Sequence, residues 1–352
     1  MIYPVINHRL SEVITWLRFP LILLIILLHC YSVEKIPGNH DTYFKVIYPF
    51  SLWLGETGVP AFFFISGFLF YFKNKSYISK LKARIHTLLL PYLIWNGALL
   101  ILFLVLFILG APQNINGTNM ADYDLLDYIR LFWDRGSFDK GNFVPLLCPL
   151  WYIRNLLIMS IISPLLFYII RYAREAFLFT IACWWMTTYN NAFIPQTILF
   201  FSLGAYFSIF GINPLGFFRK KKVEIIILFA IFGLCDILSH VLTETPVNLQ
   251  IHRLSLILNI PVLFLVADYC IMHGIKSSKM LPHAAFIVFC IHYPIVVVLR
   301  KTCINLFSEE SDFVHIILYF ICIISATIIS LTFYFHINKF FPKTKALLSG
   351  NR

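Results

Sequence analysis

Long apolar runs alternate with short polar stretches along the whole chain. Ten of the runs read as membrane helices: residues 14–33, 47–72, 86–110, 149–170, 176–190, 194–211, 223–243, 253–272, 281–302 and 313–336. A hydrocarbon core takes about 20 apolar residues of α-helix. The fifth and sixth runs are short and meet at the polar junction Thr187–Gln196. The pattern predicts an all-α polytopic membrane protein with about ten transmembrane helices. The expected organisation is one membrane-embedded domain over residues 1–352, with no appended soluble domain.

Composition agrees: 59% of the 352 residues are hydrophobic and 13% charged, against about 25% charged in soluble domains. The net charge of +11 raises nucleic acid as a partner, and the placement of the charges argues against it. With the N-terminus in the cytoplasm, 19 of the 28 Lys and Arg residues fall in inner segments, as the positive-inside rule requires. Acidic residues such as Glu34, Asp41, Glu56, Asp122, Asp124, Asp127, Asp139 and Asp312 fall outside. Both termini are therefore expected in the cytoplasm, and the chain in the cell inner (plasma) membrane among its lipids. Arg9 and Glu12 precede the first run and no small-residue cleavage site follows it, so that run reads as a retained helix. The eight cysteines show neither metal-ligand nor CxxC spacing, so no metal site is expected.

Ionisable residues inside membrane helices are costly and mark functional candidates. His29 lies deep in the first run, eleven residues after Arg18. Eleven positions make about 1100°, roughly three turns, so the two share a face about 16 Å apart along the axis. An imidazole can take a proton from a hydroxyl near neutral pH; it can also serve as a structural hydrogen-bond link between helices. Arg18, near the inner boundary, can equally be a snorkelling cation. His292 is a second mid-membrane histidine, and Asp236 in the seventh run needs a partner that the sequence does not name. The second run holds Gly58–Phe68, GVPAFFFISGF, whose Gly58, Ser66 and Gly67 suit close helix approach. Five cations, Lys73, Lys75, Lys80, Lys82 and Arg84, lie within twelve residues on the inner side. They suit an anionic cofactor, or lipid headgroups. The fourth run opens with Leu150-Trp151-Tyr152, followed by Arg154 and Asn155, residues that suit an interfacial belt or a sugar-stacking surface. Leu125, Leu126, Ile129 and Trp133 have the spacing of a short interfacial helix.

Taken in order, these pieces resemble the membrane acyltransferase type 3 family. The resemblance rests on Arg18 and His29 with ten residues between them, Gly58–Phe68, the basic stretch ending in Pro91-Tyr92, Leu150-Trp151-Tyr152, and His292 followed by Pro294. It is greatest to short members that O-acetylate surface polysaccharides, including the enterobacterial common antigen type. One position departs: the family commonly carries a second arginine three residues after the first at the start of the third helix, and here Arg84 is followed by Thr87.

The resemblance implies an O-acyltransferase that uses acetyl-CoA, with succinyl-CoA as the alternative donor. The acceptor would be a hydroxyl of a lipid-linked or cell-surface glycan across the membrane. His29 and Arg18 would be catalytic, with His29 as general base. Arg84, Lys82, Arg18 and Ser66 would contact the donor. Trp151, Tyr152, Arg154, His292 and Glu56 would face the acceptor. The rival reading is a polytopic transporter or glycan flippase without acyl transfer, for which mid-membrane histidines and a lone Asp are also suitable.

Overall fold

The computed structural model describes residues 8–33, 36–72, 75–111, 114–138, 141–242 and 247–351. Glu34, Lys35, Lys73, Asp139, Lys140 and Arg352, which entered the charge and binding arguments, lie outside the described residues. The chain is almost wholly helical and divides into two compact units, Met1–Phe72 with Phe200–His336, and Lys73–Leu199 with Ile337–Arg352.

The first unit opens with α1 (His8–Ser32), which buries Leu10, Val13, Ile14, Leu17, Leu21, Ile25 and Ile26 at three- and four-residue spacing. One long run follows, of α2 (Asp41–Tyr48), a π-helical turn (Pro49–Leu54), a 3-10 turn (Gly55–Thr57) and α3 (Gly58–Phe72). The break in regular hydrogen bonding needs outside partners in a membrane. Asn259 supplies them, donating to the Trp53 carbonyl at 3.2 Å and to Thr57 Oγ1 at 2.9 Å. The second unit contains α4 (Tyr77–Arg84), a second π turn (Ile85–Leu89), α5 (Leu90–Ile108), the short α6 (Leu125–Arg130), α7 (Trp151–Ile161) and α8 (Ser163–Thr187). α9 (Phe193–Ile209) leads back into the first unit. There the chain continues as α10 (Pro214–Lys220), α11 (Lys222–Leu242), α12 (Asn248–Met272), α13 (Leu281–Phe307) and α14 (Asp312–Phe340). α15 (Pro342–Ser349) returns to the second unit.

Seven helices among the described residues are long and apolar enough to cross a membrane, or up to nine if each of two bent pairs is one span. The seven overlap the expected runs 14–33, 47–72, 86–110, 223–243, 253–272, 281–302 and 313–336, several of them beginning earlier in the chain. The difference from ten lies between residues 148 and 220. There Cys148–Ile161 and Ser163–Thr187 meet at 71°, and Phe193–Ile209 and Pro214–Lys220 meet at 93°. Pro164, in the first turn of α8, disfavours a straight continuation of α7. At the second bend Gly211 is left-handed at φ 70°. It closes α9 with bonds from Gly211 N to Ser208 O (3.2 Å) and from Ile212 N to Phe207 O (2.8 Å). Asn213 then caps α10 ahead of Pro214. The polar break expected after residue 170 is also present, as a kink at Arg174 inside α8.

In the second unit the segment after α5 forms a hairpin, Asn114–Ile115 against Thr118–Asn119, with Asn116 and Gly117 both at positive φ. Ile115, Met120, Leu131 and Leu146 pack into a small core against Leu99, Phe103 and Phe107 of α5. The expected amphipathic helix exists as α6, closed by a reciprocal Asp124–Asp127 capping box. Its Leu125, Leu126 and Ile129 are exposed.

Candidate active site

In the first unit the site grows from the end of α1. His29 is half-buried, three residues before the helix ends, and Arg18 on the same helix is exposed. The His29 ring lies 5.4 Å, centroid to centroid, from that of His292 on α13. Tyr293 meets His29 edge-on at 5.0 Å. Among the described residues neither His29 nitrogen has a hydrogen bond, whereas His292 is fully buried. His292 Nδ1 faces the carbonyls of Phe289 at 2.7 Å and Val288 at 3.2 Å. Carbonyls only accept, so Nδ1 carries the proton and Nε2 presents a lone pair. That lone pair has no partner among the described residues. Two expected site residues, His29 and His292, are thus brought together. Arg18 stands about 16 Å down the same helix.

A second constellation surrounds Glu56 and supplies the partner that Asp236 lacked. His252 on α12 is the hub, with Nε2 3.1 Å from Glu56 Oε2 and Nδ1 2.9 Å from Asp236 Oδ2. Asp236 also accepts from Tyr48 Oη and from Ser255 Oγ, both at 2.7 Å. His240 Nδ1 lies 2.8 Å from the Tyr48 oxygen and 3.1 Å from Asp236 Oδ1. Asp236 is wholly buried, while the Glu56 side chain is 39% exposed.

At its opposite end α12 carries a second ionic knot. Asp268 accepts from Arg9 Nε at 2.7 Å and from Arg219 through two bonds of 2.7 Å. Arg9 also donates to the Asp268 carbonyl at 2.7 Å. Asp268 and His252 are sixteen residues apart on one helix, about 24 Å. Arg9 begins α1 beside Asp268, so α1 runs antiparallel to α12 and His29 lies toward the His252 end. His252 and Asp268 were not singled out from sequence. Asp268 lies inside the apolar run 253–272 and His252 one residue before it, so an ionisable residue in or beside such a run is the signal that could have found them.

The segment Gly58–Phe68 reads mainly as packing. A Cβ on Gly67 would overlap the Phe201 carbonyl oxygen, and one on Gly204 would overlap that of Phe64, so α3 and α9 cross backbone to backbone. Ser66 is half-buried one residue before that crossing.

In the second unit Arg84 ends α4, half-buried, and lies close enough to Tyr152 for the two to interact electrostatically. Tyr77 Oη donates to the Ile161 carbonyl at 2.7 Å, so α4 and α7 run alongside each other. Lys82 is exposed. Thr87, at the position of the missing arginine, bonds back to the Ala83 carbonyl at 2.9 Å, and the backbone of Gly350 presses against it.

The surface expected at Trp151, Tyr152 and Arg154 is not an exposed platform, since all three are buried. Trp151 stacks on Phe193 at 4.2 Å. Arg154 bonds the carbonyls of Trp133 and Phe143 and the Asn155 side chain, and its guanidinium lies 3.8 Å from the Phe143 ring centroid. Its donors hold the preceding loop in place rather than pointing at a ligand. The sequence pattern placed these residues at the start of a span but carried no sign that the carbonyls of Trp133 and Phe143 come to lie against Arg154.

A family model described as an acyltransferase domain matches residues 12–335. The succinoglycan biosynthesis protein ExoH of Rhizobium meliloti (strain 1021) is 31% identical over 176 residues, which are 46% of this chain and 44% of that protein. The match thus spans less than half the length of that relative. No solved structure matches.

Proposed function

Because the chain belongs to the acyltransferase 3 family, we propose that it transfers an acyl group from a coenzyme A thioester to a hydroxyl of a surface or lipid-linked glycan, within the membrane. The observation that carries this reading is the His29–His292 pair, a half-buried imidazole with open nitrogens beside a buried imidazole whose tautomer is locked. In the transfer the acceptor oxygen forms a bond to the thioester carbonyl carbon, and the carbon–sulfur bond breaks. His29 takes the hydroxyl proton, and the departing thiolate ends protonated as the thiol. No net proton is gained or lost.

His29 would then carry two N–H groups, and one of them can donate to the waiting lone pair of His292. A hydrogen bond to a charged group contributes roughly 1.5–3 kcal/mol. The locked ring is thus suited to steady the imidazolium as it forms, the task an orienting group performs for any general base. Tyr293, edge-on to His29, limits the ring's rotation.

Arg84, with Lys82 nearby, is the proposed contact for the phosphates of the donor, which arrives from the cytoplasm. Arg18 would face the same side. Guanidinium groups suit phosphate because of their paired, always charged donors. Glycan is the acceptor class because the ExoH relative is named for the biosynthesis of a polysaccharide. Acetyl and succinyl remain the two donors to compare.

The test replaces His29 with Ala and follows acylation of the host's surface glycan by mass spectrometry, at matched membrane abundance. Loss of the acyl group supports the base. Unchanged acylation removes His29 from the chemistry. The mass of the group lost in cells lacking the protein distinguishes acetyl from succinyl.

A further inference from the structure

The Glu56 constellation has no place in the donor chemistry, yet it is built like a site. Asp236 is saturated, with acceptor bonds from Tyr48, Ser255 and His252. His252 is committed through both nitrogens to carboxylates. Behind Glu56 the groups are buried and paired, and that arrangement fixes one Glu56 oxygen.

What remains open is all of one kind. The second oxygen of Glu56 has no donor among the described residues, and the side chain is half-exposed. Asn259, two helical turns along α12 from His252, is 2% exposed, and its amide nitrogen grips Trp53 and Thr57 on either side of Glu56. Its Oδ1 has no hydrogen-bond partner among the described residues. This break in the helix therefore offers two acceptors, one of them anionic, and a ligand that fits them brings donors. Phosphates and the thioester group bring none, whereas sugar hydroxyls do; the amide N–H groups of a coenzyme A arm also donate, so acetyl-CoA binding has to be measured beside the sugar's. A buried acceptor without a donor is costly, so a site of this kind favours a ligand that fills it.

Its position agrees. Gly55 packs so closely on α1 that a Cβ there would lie 3.1 Å from the Leu28 amide nitrogen. Glu56 follows Gly55 and His29 follows Leu28, so the carboxylate and the imidazole are each one residue from the same contact.

We propose that Glu56 is the residue that grips the hydroxyl-bearing acceptor, held in place by His252 and Asp236 as positioning residues. This rests on the acyl-transfer reading for the acceptor's identity but not for its binding, so the two can fail separately. The probe is the unacylated surface polysaccharide purified from cells lacking the protein, and its binding to the purified full chain is measured without any thioester. Acetyl-CoA binding serves as the control.

Glu56→Gln is expected to weaken polysaccharide binding at least about tenfold, the scale of a lost charged hydrogen bond, with acetyl-CoA binding unchanged. His252→Gln should shift it in the same direction by less, because glutamine can still donate to Glu56. Unchanged polysaccharide binding in Glu56→Gln, or an equal loss of acetyl-CoA binding, overturns the assignment. If Glu56→Gln does not reach the membrane, Glu56→Asp keeps the charge but withdraws it by one methylene, and weakened binding is again expected. Failure of both variants to accumulate would mark Glu56 as a folding residue and overturn it too. Glu56-dependent binding without acyl transfer in the wild type would uphold this assignment and sink the acyl-transfer reading.

Discussion

Removing the His252 imidazole tests the constellation as a stabilising unit. In His252→Ala, Asp236 keeps the hydroxyls of Tyr48 and Ser255, while Glu56 loses its bond to His252. Breaking a buried ionic set by deleting one partner costs about 3–5 kcal/mol. The exposed side of Glu56 can rehydrate, so the low end, about 3 kcal/mol, is expected. Asp236→Asn should cost about 2 kcal/mol, the scale of one hydrogen bond to a charged group. Asparagine can direct its oxygen to His252 and its amide to the Tyr48 oxygen, which can turn to accept. The double variant loses the shared His252–Asp236 bond only once. It should therefore be less destabilised than the sum by about 1–2 kcal/mol, as coupled neighbours are. Unfolding of the purified protein by graded SDS in mixed micelles, fitted for all four members of the cycle, measures this. Additivity within about 0.5 kcal/mol would mean that the two groups do not act together. A His252→Ala cost near the roughly 0.6 kcal/mol average for interhelical hydrogen bonds in membranes would refute the buried-charge argument.

Three further outcomes follow from particular contacts. Gly67→Ala places a methyl on the Phe201 carbonyl and should destabilise by about 1–3 kcal/mol, whereas Gly97→Ala, with only Phe132 at 4.0 Å, should not; the same SDS titration compares them. Arg154→Met keeps the bulk but removes the bonds to the carbonyls of Trp133 and Phe143. Hydrogen exchange in residues 131–138 should then rise, with little change in α5, and unchanged exchange would contradict the tethering role. His292→Phe keeps the ring but deletes the lone pair and should lower the acyl-transfer rate at least about tenfold without changing donor half-saturation. His292→Gln, which offers an oxygen in its place, should recover part of that rate.

Legibility from sequence followed the physics of each feature. The long helices could be read because their apolar runs exceed what a soluble core needs, and α1, α11, α12, α13 and α14 start and stop within a few residues of expectation. The stretch from residue 148 to 220 could not be read as cleanly. Pro164 and the Gly211–Pro214 turn redirect the chain without lowering its hydrophobicity. His29 and His292 stood out as polar residues in apolar surroundings, but their mutual contact is tertiary. Asp236 stood out too, yet its partner His252 sits beside Arg253 near the end of a run, where a charge passes for an interfacial residue. Trp151 and Arg154 misled for the opposite reason: an aromatic and a cation at a helix start look like a surface belt until a loop folds over them.

The ionic knot at Asp268 also has a consequence for biogenesis. Arg9 and Asp268 are 259 residues apart, and at about 5–20 residues per second of synthesis the second emerges roughly 13–50 s after the first. The whole of the second unit up to Leu199 is made in that interval, because it interrupts the first in the chain. α1 is apolar enough to insert by itself, so it waits in lipid with its future interior face uncovered and Asp268, the distant partner of Arg9, not yet made. Closure of the first unit, and with it the pairing of His29 and His292, is thus a late, post-insertion event. A ribosome stalled before α12 would leave a membrane-anchored chain that carries His29 but lacks His252, Asp268 and His292, so the site cannot form in it.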